Sequence, residues 1–292
     1  MGTRHSAALL LLLWAAAGGA TAGAPPPPPP PPLTPVDLRV DGVRASDGVL
    51  VGLGHAAPRF SWALAAAAAA PRGTAQASAT LTVADAPSLE PAAVVCAATV
   101  EGALATSAVC AGPAFSAPNA ALWWRVCVTA NDAGATVACS AVNALGTGLG
   151  PGDWTAGWVA APEGAAQFPV TREFARPVRL RAVANASAAL RGATVVRAVA
   201  FVASPAYYQL HVDGQRVSTH AFGSAGEFRA RVLADAWDVT AAVAAAGAAP
   251  VVLGVRLGPG QWAHAQAFDA TVLPLRLELH VDEIGRASCR ER

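Results

Sequence analysis

Lysine is absent from this 292-residue chain, and isoleucine occurs once, at Ile284. All 20 basic residues are arginine, and Ala, Val and Leu carry the apolar content. The bias marks a GC-rich coding sequence and says nothing of function. Charged residues are scarce, 13% against 54% hydrophobic, which argues against disorder outside the Pro and Ala runs. No two arginines are adjacent anywhere along the sequence. Nothing therefore suggests a polyanion partner, since nucleic-acid binding needs a basic patch. G-x-S-x-G is missing, and His211, His220, His264 and His280 have no evident Ser or Cys partner, so nucleophilic catalysis has no support. There is no C-x-x-C pair and no His cluster to hold a metal, and no cofactor is implied. After the first 22 residues no segment is long and apolar enough to span a bilayer.

What is present reads as a secreted, all-β chain. Residues 1–22 fit a signal peptide: Arg4, then an apolar Ala7–Ala17 with five consecutive leucines, then small residues at Ala20-Thr-Ala22. An uncleaved signal anchor with surface display is the alternative. Residues 23–34 hold eight consecutive prolines, a polyproline-II spacer of about 25 Å. At the other end, Leu275, Leu277 and Leu279 alternate with Arg276, Glu278 and His280 as a strand. Residues 283–292 change character and resemble a translated sequencing adapter. They are read as a non-native tail, with the native protein truncated near Asp282; a genuine polar terminus is the alternative.

Residues 35–160 show short strands between Gly and Pro turns and no helical period, the pattern of a β-sandwich. Val36, Leu38 and Val40 share one face of a strand; Phe60, Trp62 and Leu64 repeat the pattern, as do Leu81 with Val83, and Trp124, Val126 and Val128. Asp132-Ala-Gly134 is a three-residue hairpin loop, which sets Cys127 opposite Cys139. Facing Cα atoms in such a ladder are within disulfide reach, so the expected bridges are Cys127–Cys139 and, by elimination, Cys96–Cys110. The alanine run 65–70 and the cysteine-bearing stretch 93–111 read as loop embellishments.

Residues 161–282 read as a second sandwich. Arg172-Glu-Phe174 opens it, and Val195–Val202 is apolar on both faces apart from Arg197, as in a central strand. The most telling segment is Ala200–Val217. Tyr208, Leu210 and Val212 alternate with Tyr207, Gln209 and His211, and Asp213-Gly214 is a hairpin turn that sets Leu210 opposite Val217. Trp237 and Val239 read as core, Asp238 with Thr240 as a turn or cap pair, and Gly258 and Gly260 as a tight loop. Asn185-Ala-Ser187 is an N-glycosylation acceptor pattern.

Val36-Asp-Leu-Arg-Val40, Pro58-Arg-Phe-Ser-Trp62, Trp123-Trp-Arg-Val126 and the exit Gly152-Asp-Trp154 with Gly157-Trp158 together resemble the fibronectin-III-like module that opens many bacterial-type α-L-rhamnosidases. Ala206–Val217, Arg231–Thr240 and Leu257–Trp262, in this order and spacing, resemble the N-terminal β-sandwich of the same inverting, (α/α)-barrel family. The resemblance implies two sandwiches, fibronectin-III-like and then jelly-roll-like, that precede a catalytic barrel. It implies hydrolysis of terminal α-L-rhamnosyl residues by an acid and a base that lie in that barrel, so no catalytic residue is expected here and the chain alone should be inactive. The partners implied are a rhamnose-containing glycan, met through the catalytic domain, and that domain itself. Inversion needs two carboxyl groups about 6.5–9.5 Å apart; Glu173, Asp213, Glu227, Asp235, Asp238 and Asp269 are candidates by residue type only. Tyr207, His211 and Trp262 are the candidate sugar contacts, with packing against a neighbouring domain as the alternative. A secreted lectin-like or adhesion protein of two sandwiches is the competing reading of the whole.

Overall fold

The computed structural model describes residues 30–45, 49–159, 178–184, 194–205, 207–218, 231–247, 249–258 and 276–283. Ten strands come first: β1 (Leu33–Val40), β2 (Val43–Arg44), β3 (Leu50–Leu53), β4 (Arg59–Ala66), β5 (Gln76–Ala84), β6 (Val94–Glu101), β7 (Ser107–Val109), β8 (Ala121–Ala130), β9 (Val137–Cys139) and β10 (Asn143–Thr147). One sheet has the order β2-β1-β4-β7; the other runs β3-β10-β8-β5-β6, with β9 beside β8. Phe60, Trp62, Leu81, Val83, Leu122, Trp124, Val126 and Leu145 close the core of this sandwich. Strict alternation along β8 sets every second residue inward. The buried Trp62 indole donates to Gln76 Oε1, 3.2 Å away.

Two expectations change here. Val36 does not share the inner face with Leu38 and Val40; it is 38% exposed. A bulge between Val36 and Arg39 shifts the register, with Asp37 in the left-handed region at φ 46°, and the extra residue flips the side-chain phase. The stretch 93–111 is not a loop embellishment either, because it contains β6 and β7. Its Ala, Thr and Cys residues alternate too weakly in hydrophobicity to announce an edge strand. The bridges in this sandwich are Cys96–Cys110, Cα atoms 6.0 Å apart, and Cys127–Cys139, Cα atoms 3.9 Å apart. Cys127 lies opposite Cys139 in the β8–β9 ladder.

The second set of strands is β11 (Val178–Ala184), β12 (Val195–Ala203), β13 (Tyr207–Val212), β14 (Gln215–Arg216), β15 (Ala234–Asp238), β16 (Val251–Gly258) and β17 (Arg276–Glu283), with one α-helix among the described residues, α1 (Thr240–Ala246). A sheet β11-β16-β13-β14 faces a sheet β15-β12-β17. Their core is Ala198, Ala200 and Val202 against Tyr208, Leu210, Val212 and the odd residues of β16, with Val243 of α1. In the β13–β14 hairpin, Asp213 and Gly214 take φ of 47° and 81°, the double left-handed turn that suits strand twist. Val217 N–H donates to Leu210 O at 2.9 Å, so the two residues face each other. Asp238 Oδ1 accepts from Thr240 N–H and its hydroxyl at the start of α1. Arg172–Phe174, Gly260, Asn185 and Trp262 lie outside the described residues. The architecture is all-β, in two sandwiches.

The two sandwiches pack against each other. Even residues of β12 point into their own core, while Val199 and Phe201 are buried on the opposite face. There Phe201 meets Trp154 edge-on, ring centroids 6.5 Å apart. Arg197 sends its guanidinium into the first sandwich, with Nη1 on Asn119 O at 2.9 Å and Nη2 on Asn119 Oδ1 at 2.8 Å. A Cβ at Gly146 would sit 2.5 Å from Arg197 Nη2, and a Cβ at Gly52 would sit 2.5 Å from Ala236 Cβ. Two glycines on β3 and β10 thus let the second sandwich approach this closely. The lone arginine of an apolar strand has become the polar anchor of the joint.

Candidate functional site: the outer sheet face and the joint

Tyr207 and His211 lie on β13, half-buried on the face turned away from the core. Tyr207 stands opposite Gly258 and His211 opposite Gly254 on β16. The Cβ atoms of Tyr207 and His211 lie 3.5 Å and 3.7 Å from where a Cβ would stand on Gly258 and Gly254. Four residues apart on one strand, they are about 13 Å from each other. Beside His211 the sheet surface dips into a groove of about 460 Å³, lined by Arg179, Arg181, Gly214, Val252, Gly254 and Arg256 among others. A second groove of about 670 Å³ runs along the joint, between Val43, Arg44 and Leu50 of the first sandwich and Val217, Trp237 and Ala241 of the second.

Beside the joint groove is a polar cluster that periodicity alone does not reveal. Tyr208 hydroxyl donates to Asp235 Oδ2 at 2.5 Å and accepts from Trp237 Nε1–H at 2.9 Å. Burial, and then the Asp235 carboxylate, push the Tyr208 phenol above its ordinary range. It stays protonated as a donor and is no base. Part of the signal was present in sequence: a tyrosine on a core face must satisfy its hydroxyl, and Asp235 and Trp237, two apart on β15, supply the partners from the facing sheet.

Three carboxylates of this sandwich are held by structural partners. Asp213 Oδ1 accepts from Val252 N–H at 2.8 Å, Asp235 from Tyr208, and Asp238 from Thr240. Glu173, Glu227 and Asp269 lie outside the described residues. Among the described residues no group of three His, Cys, Asp or Glu could hold a metal ion, and no helix is long and apolar enough to cross a membrane.

These features define a pair of β-sandwiches locked by a polar joint, with Asp213, Asp235 and Asp238 engaged in holding the second. Residues 35–151 match the family of the Rha78A-like, N-terminal immunoglobulin domain. Residues 193–281 match the α-L-rhamnosidase N-terminal domain. The two matches, in this order, support an N-terminal rhamnosidase region. The fold is shared with the native α-L-rhamnosidase of Aspergillus terreus and with the α-L-rhamnosidase of Dictyoglumus thermophilum, each at 18% identity and a TM-score of 0.66. In each case the match covers 86% of this chain and 28% of the other. The chain thus corresponds to a little over a quarter of those proteins' length. No curated protein matches it in sequence.

Proposed function

We propose that this chain is the non-catalytic N-terminal part of a secreted α-L-rhamnosidase of the bacterial type. The parent protein hydrolyses terminal α-L-rhamnosyl residues of glycosides or polysaccharides, with inversion, in a barrel that follows these residues. The observation that carries the reading is the succession of two different rhamnosidase N-terminal domains, at 35–151 and 193–281, in one chain. The engagement of Asp213, Asp235 and Asp238 in structural hydrogen bonds supports a role in support and not in bond cleavage. The two disulfides fit an oxidising compartment, as does the leader at 1–22. In this reading the domain layout is leader 1–22, spacer 23–34, sandwiches 35–160 and 161–282, and a foreign tail 283–292. The joint held by Arg197 gives the enzyme a rigid shoulder. Tyr207, His211 and Trp262 serve as contacts to sugar or to the barrel, and Asn185 carries a glycan. The test is proton NMR of rhamnose freshly released from an α-rhamnoside by the longer protein, recovered from the full-length transcript. The β-anomer appears first if the reading holds; α-anomer first, or no hydrolysis, overturns it.

A further inference from the structure

We infer that the outer face of the β11-β16-β13 sheet is an anion site that takes the carboxylates of an acidic oligosaccharide. The fold assembles what the sequence disperses. Arg179 lies opposite Arg256 and Arg181 opposite Gly254; on the other side of β16, Gln209 lies opposite Arg256 and His211 opposite Gly254. Side chains two apart on a strand share a face, so these six positions form two cross-strand rows, Arg179–Arg256–Gln209 and Arg181–Gly254–His211. Strands about 4.8 Å apart and rows about 6.7 Å apart place three guanidinium groups and an imidazole around one missing side chain. That gap at Gly254 lies in the 460 Å³ groove. A Cβ there would meet nothing closer than His211 Cβ at 3.7 Å, so the backbone does not require glycine for space. Glycine within a strand marks a place where something approaches the backbone closely.

The charge pattern requires a counter-charge. Like charges directly opposite in a ladder destabilise it, and Arg179 faces Arg256. Arg179, Arg181 and Arg256 are exposed. None forms a salt bridge among the described residues, whereas Arg39 and Arg44 on β1 and β2 both pair with Asp37. Planar guanidinium forks suit carboxylates. Arg179 and Arg181 meet Arg256 only in the fold, where the β11–β16 register makes them one basic patch. A nucleic acid is the weaker fit. Single strands are bound on interleaved aromatics, and the described part of this face offers only Tyr207; the disulfides also fit an oxidising compartment. That the anion is borne by a sugar rests on the rhamnosidase reading; the anion site itself does not.

The experiment is calorimetric titration of the full 292-residue chain with tetragalacturonate, with its carboxyl-reduced neutral analogue, and with an eight-nucleotide oligothymidylate, at low and high salt. The expected result is salt-sensitive binding of tetragalacturonate and at least tenfold weaker binding of the other two. The Arg181→Gln/Arg256→Gln variant should weaken tetragalacturonate binding tenfold or more. Gly254→Val, which keeps every charge and fills the groove, should weaken it at least fivefold. Removal of the Arg179–Arg256 repulsion should leave the double variant folded, with a melting temperature at or above the parent's. No binding, equal binding of the neutral analogue, variants within twofold of the parent, or tighter binding of the oligonucleotide would each overturn the site. Hydrolysis of an uncharged rhamnoside by the longer protein is scored separately, so either reading can fail while the other stands.

Discussion

Replacement of Tyr208 by Phe probes a buried hydroxyl bonded on both sides in the second sandwich. The ring stays in its core position, and only the hydroxyl between Asp235 and Trp237 is lost. A hydrogen bond to a charged group contributes about 1.5–3 kcal/mol and a neutral one about 1. The gross loss is therefore roughly 2.5–4 kcal/mol. Asp235 and Trp237 are only half-buried, so water restores part of what they lose, and the net cost should be about 2 kcal/mol. For a unit of this size that is a fall in melting temperature of roughly 4–8 °C, by scanning calorimetry at pH 7. A second signature follows from the raised phenol. The unfolded tyrosine ionises near pH 10, and the folded one only at higher pH. The stability it contributes is complete below about pH 10 and is lost as pH rises through the folded value. The gap between parent and Tyr208→Phe should therefore narrow above pH 10, by up to about 1.4 kcal/mol per pH unit. A variant within about 0.5 kcal/mol of the parent at pH 7, a size usual for surface changes, or a gap unchanged at pH 11, refutes the assignment.

Other expectations concern the joint and the bridges. Arg197→Ala removes both bonds to Asn119 and should cost about 2–3 kcal/mol, resolving one calorimetric transition into two; a single unshifted transition would show that the anchor does not couple the sandwiches. Gly52→Ala combines a φ of 80° with a Cβ 2.5 Å from Ala236 Cβ, so it should cost more than about 2 kcal/mol in chemical denaturation, whereas Gly42→Ala, with nothing within 4 Å of its Cβ, carries only the backbone strain. Loss of either disulfide, which close loops with sequence separations of 14 and 12, should cost about 3 kcal/mol, measured on the Cys96→Ser/Cys110→Ser and Cys127→Ser/Cys139→Ser variants. The carboxyl of Asp132, bonded by Thr136, titrates below the ordinary range. Its contribution is present above the unfolded value and lost as pH falls through the folded one, so the loop amides should exchange faster below about pH 4.

The strands with one dry face were legible in sequence because period-2 alternation reports burial directly: β8, β13 and β16 alternate as their residues do. β1 misled because a single bulged residue at Asp37 reverses the phase, and no side chain there signals it. β6 and β7 escaped because their residues are small and weakly contrasted. α1 is a single alanine-rich segment too short to show a helical period. The basic face was invisible for a different reason. Arg256 lies more than seventy residues beyond Arg179 and Arg181, and only the β11–β16 register sets them side by side. The Arg197 anchor was half-legible: an arginine inside an apolar strand was conspicuous, but its partner Asn119 belongs to the other sandwich.

The central claim is that these residues support a rhamnosidase without performing its chemistry. The most direct measurement is release of p-nitrophenol from p-nitrophenyl α-L-rhamnopyranoside, by the 292-residue chain and by the longer protein at equal concentration. The account predicts turnover by the longer protein and none above background by the chain alone. Turnover by the chain alone, or none by the longer protein, would contradict it.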